Sequence, residues 1–376
     1  MPKSRMIWLD CLRLTAGLSM VILHTTADPN GQPWPAYDIQ DRVGPIVLRT
    51  IAYMARTELF LMIACFLLVL SLRRRPRGYR ETMAEQTRRL VLPFVFWTVF
   101  YAFYNLIKAD YFGYEAAAWS EITDVTAWAG HLLLGDIKYH MHFLPTLFGL
   151  LLFYPLFLRA YDKPILGIAV IPLLLIKWEL DRQIWSTFWD TEILPFVVRA
   201  VKLMTYVGFG MAAAALVALY QRTTPSTLRL YLPHVLFIAV LLSFFKAFAS
   251  YETLIGAKWQ FSYAPAYWAD FIMPIILFFA CMALSDRSWP NLLSKVGGYS
   301  FGIYLCHPII VDLAEISLHQ SALSPTAQVL VKLSAALSLT PILVVAIGRI
   351  PLTAWTVGLG PLPKLTKPKA TLPQRS

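Results

Sequence analysis

Ten predominantly apolar stretches, each near the length a helix needs to cross a bilayer, recur along this chain at approximately 7–26, 47–72, 88–107, 141–159, 163–178, 193–220, 230–249, 267–285, 297–318 and 326–349. A bilayer core takes about 20 helical residues. A backbone surrounded by lipid must satisfy its own N–H and C=O groups, which helices do and open sheets do not. The sequence therefore predicts an all-α integral membrane protein of about ten transmembrane helices, the fifth stretch being the shortest of them. Only 15% of residues are charged and 57% are hydrophobic, against about 25% charged in a soluble domain.

The loops fix an orientation. Residues 73–89 carry Arg73, Arg74, Arg75, Arg77, Arg80, Arg88 and Arg89, whereas 108–140 holds five acids against Lys108 and Lys138. Asp28, Asp38 and Asp41 outweigh Arg42, and 179–192 has four acids against Arg182. The basic loops share one side with Lys3, Arg5, Lys364, Lys367, Lys369 and Arg375. The positive-inside rule then places both termini in the cytoplasm and assigns the net charge of +11 to topology rather than to nucleic-acid binding. Asp10 and Arg13 interrupt the first apolar run, so it reads as a retained membrane helix and not a signal peptide. Residues 1–350 read as one membrane domain, and 351–376, rich in Pro and Lys, as a disordered cytoplasmic tail. The four cysteines, Cys11, Cys65, Cys281 and Cys306, fall in apolar segments without metal or disulfide spacing and read as small buried hydrophobes.

Ionisable residues inside a span are costly and mark functional sites. The first helix has three: Asp10, Arg13 and His24. At 100° per residue Arg13 and His24 lie about 20° apart around the axis, and Asp10 about 40° from His24. Gly17 lies on the same stripe. Arg13 and His24 are separated by about 16 Å along the helix, with Arg13 near the cytoplasm and His24 near the outer end. An Asp–Arg pair at the inner interface can also simply snorkel. Glu58 falls within the second span. Arg56, two residues away, should point to another face of the helix, so Glu58 is expected to find its cation on another helix, the first by preference. His140 and His142 are expected at the depth of His24, and His307 at mid-span in the ninth helix. Trp185 and Trp189 lie in an outer segment, where they serve an aromatic belt or stack on a sugar.

At these residues the chain resembles the acyltransferase-3 family of membrane acyltransferases. IWLDCLRLTAGLSMVILHTT is similar to the family's opening signature, D-x-x-R followed by ten residues and His, carried here by Asp10, Arg13 and His24. TELFLMIACFLLVLS resembles the second-helix block through Glu58, Phe60 and Phe66, with Ala64 and Cys65 in place of the usual Ser-Gly. RRLVLPFVFW, HMHFLPTLFGLLLFYPLF (His142 where Trp is usual) and GGYSFGIYLCHPIIV, ending on His307 and Pro308, resemble three further blocks in the family's order. The resemblance implies transfer of an acyl group, commonly acetyl, from acyl-CoA to a hydroxyl of a cell-envelope carbohydrate, at a bacterial inner membrane.

Such a transfer needs a base for the hydroxyl proton and donors for the developing oxyanion. A histidine suits the base; His24 is the first candidate and His307 the second, with Asp10, Arg13 and Glu58 completing the polar set. His140, His142, Trp185 and Trp189 are the candidate acceptor contacts. Acetyl-CoA or another acyl-CoA is the co-substrate, its phosphates assigned to Arg88 and Arg89 and its pantetheine arm passing Arg13 toward His24. The partners are an envelope glycan or lipid-linked saccharide and the bilayer itself, with no nucleic acid. No metal-ligand cluster, Gly-rich phosphate loop or G-x-S-x-G elbow occurs. A transporter or flippase for a lipid-linked glycan is the rival reading; Pro93, Pro145 and Pro274 interrupt helices but show no two-fold pattern.

Overall fold

The computed structural model describes residues 6–260 and 264–363, and among these all regular structure is helical. Lys3, Arg5, Lys364, Lys367, Lys369 and Arg375, on which the orientation partly rests, lie outside the described residues. In chain order the helices are α1 (Ile7–Thr25), α2 (Ile39–Ala52), α3 (Thr57–Arg74), α4 (Tyr79–Gln86), α5 (Leu92–Phe112), α6 (Glu115–Thr123), α7 (Val125–Leu133), α8 (Phe143–Leu151) and α9 (Tyr154–Asp162). They continue with α10 (Val170–Thr187), α11 (Leu194–Arg222), α12 (Pro225–Arg229), α13 (Leu232–Gly256), α14 (Ala264–Ala283), α15 (Asn291–Gly297), α16 (Ser300–Leu318) and α17 (Pro325–Arg349).

Eight of the ten expected spans are helical runs long and apolar enough to cross a membrane, and the 141–159 stretch is a ninth, broken one: α8 and α9 meet at 60°. The break precedes Pro155, which sits in the first turn of α9 and cannot continue the helix before it. The 163–178 stretch is the departure. A 3-10 segment, Pro164–Ala169, leads into α10, which from its middle onward carries Lys177, Glu179, Asp181 and Arg182. Those charges leave it short of an apolar span, and Lys177 near its middle is buried and pairs with Asp181.

Among the long apolar spans, those that hold α3 and α11 are the most enclosed and α13 the most peripheral. α11 earns its central place through small residues: Gly208 lies so close to α10 that a Cβ there would come within 2.6 Å of the Val170 Cα, and Ala212 to Ala215 continue the narrow surface. Small side chains let backbones approach where no hydrophobic gain separates helix from lipid. Cys11, Cys65 and Cys306 are buried free thiols and Cys281 a half-buried one, as their apolar settings predict.

The first part of the expected tail packs against the membrane domain. A 3-10 turn, Ala354–Val357, packs back on the bundle, with Thr356 and Val357 buried and the Thr356 carbonyl accepting a 2.9 Å hydrogen bond from Trp97 Nε1. Residues 364–376, the remainder of the expected tail, lie outside the described residues.

Candidate active site

Three histidines from separate parts of the chain meet in the interior. The rings of His24, at the end of α1, and His307, in α16, stack with centroids 5.4 Å apart. His140, in the loop before α8, stands edge-on to His307 at 5.3 Å. Tyr139 packs on His24 at 4.3 Å, and Tyr304 and Tyr101 close the far side of His140 at 5.1 and 5.4 Å. His140 and His307 are fully buried. Nε2 of His24, Nε2 of His307 and both ring nitrogens of His140 are buried without a hydrogen bond among the described residues. Buried polar atoms are normally paired, so these orphaned ring nitrogens make the cluster a candidate site. Burial, reinforced by the neighbouring His307 and His24, holds His140 well below the ordinary imidazole range, so it is neutral.

The tautomer of His307 follows from the sequence. Pro308 has no N–H, so the carbonyl of Tyr304, one turn earlier, loses its usual helical donor. His307 Nδ1 lies 2.8 Å from that carbonyl and 3.2 Å from the Ile303 carbonyl. A carbonyl only accepts, so Nδ1 carries the proton and the Nε2 of the neutral ring is left as a base.

The loop bearing Tyr139 and His140 is pinned by charges. Asp312, one turn beyond Pro308 and 1% exposed, accepts from Lys138 at 2.6 Å and Lys108 at 3.1 Å. Lys108 also reaches Glu315 at 2.5 Å, and Lys332 of α17 lies 3.5 Å from Glu315 while donating to the Ala27 carbonyl at 2.7 Å. Burial lowers the affinity of Lys138 for its proton, and Asp312 opposes that loss. On the other flank Arg199 of α11 donates to the carbonyls of Leu134 and His142 at 2.6 and 2.9 Å.

A cavity of about 870 Å3 leads toward this group from the opposite end of α1. Arg13, Arg77, Arg88 and Arg89 line it, with Glu85, which pairs with Arg77 and lies 3.8 Å from Arg89. Arg88 and Arg89 sit in a π-helical turn, Thr87–Val91, between α4 and α5. Deeper in, the walls become apolar and end on Phe60, Phe143 and Tyr304. Tyr304 touches both regions: it lines the cavity, and its hydroxyl donates to the His140 carbonyl at 2.6 Å. The size is that of a ligand site.

The structure thus gathers His24, His140 and His307, and separately Arg13, Arg88 and Arg89. Other expected members lie elsewhere. Asp10 is some 21 Å along α1 from His24, accepting from Ser294 of α15 at 2.7 Å and lying 3.8 Å from Arg13. Glu58 does not pair with the first helix. It is in the first turn of α3, and Arg56, on the extended residue just before that helix, folds onto it at 2.9 Å while Tyr206 donates at 2.6 Å. The two-residue spacing argument fails because Arg56 is not helical. His142 turns Nδ1 to the Tyr139 carbonyl at 2.8 Å and belongs to the loop's own structure. Trp185 and Trp189 pack on each other at 5.6 Å at the exposed end of α10, and they line neither the 870 Å3 cavity nor a smaller one between α2, α10, α13 and α14. Asp312, Glu315 and Lys332 also support the site; each is an ionisable residue within a predicted span, which is the signal by which sequence could single them out. Among the described residues no group of three or more His, Cys, Asp and Glu is arranged to hold a metal ion.

Compared with known proteins, the chain matches a family model described as an acyltransferase domain over residues 6–355. No curated protein and no solved structure matches it.

Proposed function

The chain belongs to the acyltransferase-3 family, and on that premise we propose that it moves an acyl group, acetyl by preference, from acyl-CoA to a hydroxyl of an extracytoplasmic or lipid-linked glycan. Membrane acyltransferase activity follows from the family; donor, acceptor and sidedness are the proposal. One observation carries it: a cavity with arginines at its mouth and apolar walls ends on Tyr304, which contacts His140 directly. That sequence of surfaces suits a CoA, with phosphates on Arg88 and Arg89, the thin arm passing Arg13, and the thioester delivered toward the histidines.

In this reading His24 takes the proton of the acceptor hydroxyl, with His307 stacked on it as the second base. The oxygen bonds to the thioester carbon, the C–S bond breaks, and the leaving thiolate recovers the proton. Both termini and the Arg73–Arg89 segment lie on the cytoplasmic side, and His24 opens toward the outside of the inner membrane.

Sealed inside-out vesicles test this. With acyl-CoA supplied outside, acceptor glycan trapped in the lumen should be acylated, and a membrane-impermeant glycan outside should not. Efficient modification of the external glycan would overturn the sidedness, and no acyl transfer to either would overturn the reading. Single-cysteine labelling of the 108–140 loop from the periplasm, but not of the 73–87 loop, should accompany the first result.

A further inference from the structure

A second cavity, of about 260 Å3, opens at the His24 end of the bundle between α2, α10, α13 and α14. Arg49, Arg56, Lys177, Lys246, Tyr53 and Trp259 are among its lining residues. Most of its cations are matched. Lys246 is 2.7 Å from Asp270, Arg56 is 3.6 Å from Asp270 and 2.9 Å from Glu58, and Lys177 pairs with Asp181.

Arg49 is the exception. Among the described residues no carboxylate comes within ion-pair distance of it, and its Nε is buried without a hydrogen-bond partner. Its Nη1 donates to the Leu23 carbonyl at 2.6 Å and to Thr26 Oγ1 at 3.3 Å. Its guanidinium lies 4.2 Å from the centroid of Trp259 and 5.4 Å from that of Tyr53. A partly buried guanidinium without a counter-ion is unfavourable in a low dielectric, and a forked donor of this kind matches a carboxylate or phosphate. The position is also specific. Leu23 immediately precedes His24, so Arg49 joins the wall of this cavity to the turn that carries the candidate base.

Granting the acyl-transfer reading, on which this rests, we propose that this cavity binds the acceptor saccharide through an oxyanion of the sugar held by Arg49, so that the acceptor is an acidic glycan. Lys246 and Asp270, already paired, offer a donor and an acceptor for hydroxyls, and Trp259 and Tyr53 offer ring faces. The competing explanation is that Arg49 only clamps the carbonyl end of α1. A clamp would occupy Nη1 and place no demand on the charge of a ligand.

The test compares charged sugars with neutral twins on the purified full chain: glucuronate against its methyl ester, and glucose 1-phosphate against glucose, by saturation-transfer NMR titration. In at least one pair the charged member should bind about tenfold or more tightly than its twin, and the responsive pair tells carboxylate from phosphate. Arg49→Gln should abolish that preference and Arg49→Lys should keep part of it. Equal binding within both pairs, binding by none of the four, or an undiminished preference in Arg49→Gln overturns the proposal. If Arg49→Gln does not fold, the wild-type comparison still decides. Wild-type protein that consumes acyl-CoA yet treats each pair alike would sink this inference alone, whereas loss of acyl-CoA turnover would strike the reading beneath it.

Discussion

The Nδ1–H of His307 is held at 2.8 Å by the carbonyl of Tyr304, the group that Pro308 deprives of a helical donor. A helix-breaking residue thereby sets the protonation pattern of its neighbour. Replacing Pro308 by Ala restores an N–H that competes for the Tyr304 carbonyl. We expect kcat to fall roughly tenfold, equivalent to about 1.4 kcal/mol, with an unchanged donor KM. Thermal stability should hold or rise, since proline inside a helix costs about 3 kcal/mol. An unaltered kcat would show that the tautomer is set in some other way.

His24→Ala should fold and insert, because the residue is half-buried and, among the described residues, its ring stacks on Tyr139 and His307 alone. Acyl transfer should drop by about two to four orders of magnitude, the range for a lost general base. Transfer rates in reconstituted vesicles, read beside gel-filtration profiles, check this; near-normal rates would remove His24 from the mechanism.

Reversing the charge of Arg88 and Arg89, both exposed at the cavity mouth, should raise the KM for acyl-CoA more than it lowers kcat. High salt should have the same effect on the wild type, since exposed phosphate contacts are screened. A donor KM indifferent to both would leave these arginines with a topological role alone.

Asp312→Asn removes the carboxylate from the buried Lys138 and from Lys108, which keeps Glu315. Leaving the buried Lys138 without its carboxylate costs about 3–5 kcal/mol, and the loop holding Tyr139 and His140 should loosen with it. Chemical unfolding and hydrogen exchange over 134–142 measure both. Combining Asp312→Asn with Lys138→Met should recover part of the stability; no loss in the single variant would contradict the network's role.

His140 makes a pH prediction with a definite sign. Its folded proton affinity is depressed, chiefly by burial, so the unfolded chain binds the proton more readily. Its contribution to stability is therefore complete above about pH 6.5, the ordinary histidine value, and declines as the pH falls below it. The slope of melting temperature against pH between 6.5 and 5 should flatten in His140→Gln. An identical slope would assign the acid sensitivity to other groups.

The membrane class, the positions of nine spans and the family are legible in the sequence, because lipid allows few alternatives to a long apolar helix and because Asp10, Arg13, His24 and the His307–Pro308 pair stand out against an apolar background. It also put forward Arg13, Arg88 and Arg89 as one functional group, and all three line the 870 Å3 cavity. Helical periodicity could not reveal which helices adjoin. That Glu58 meets Arg56 and Tyr206 rather than α1 depends on an extended residue at 56 and on the contact between α3 and α11. That His140, 116 positions from His24 in the chain, joins the same cluster depends on a loop pinned by Asp312 and Arg199 from two other helices. A stripe on one helix records which residues avoid lipid; only the packing of neighbouring helices decides what they avoid it for.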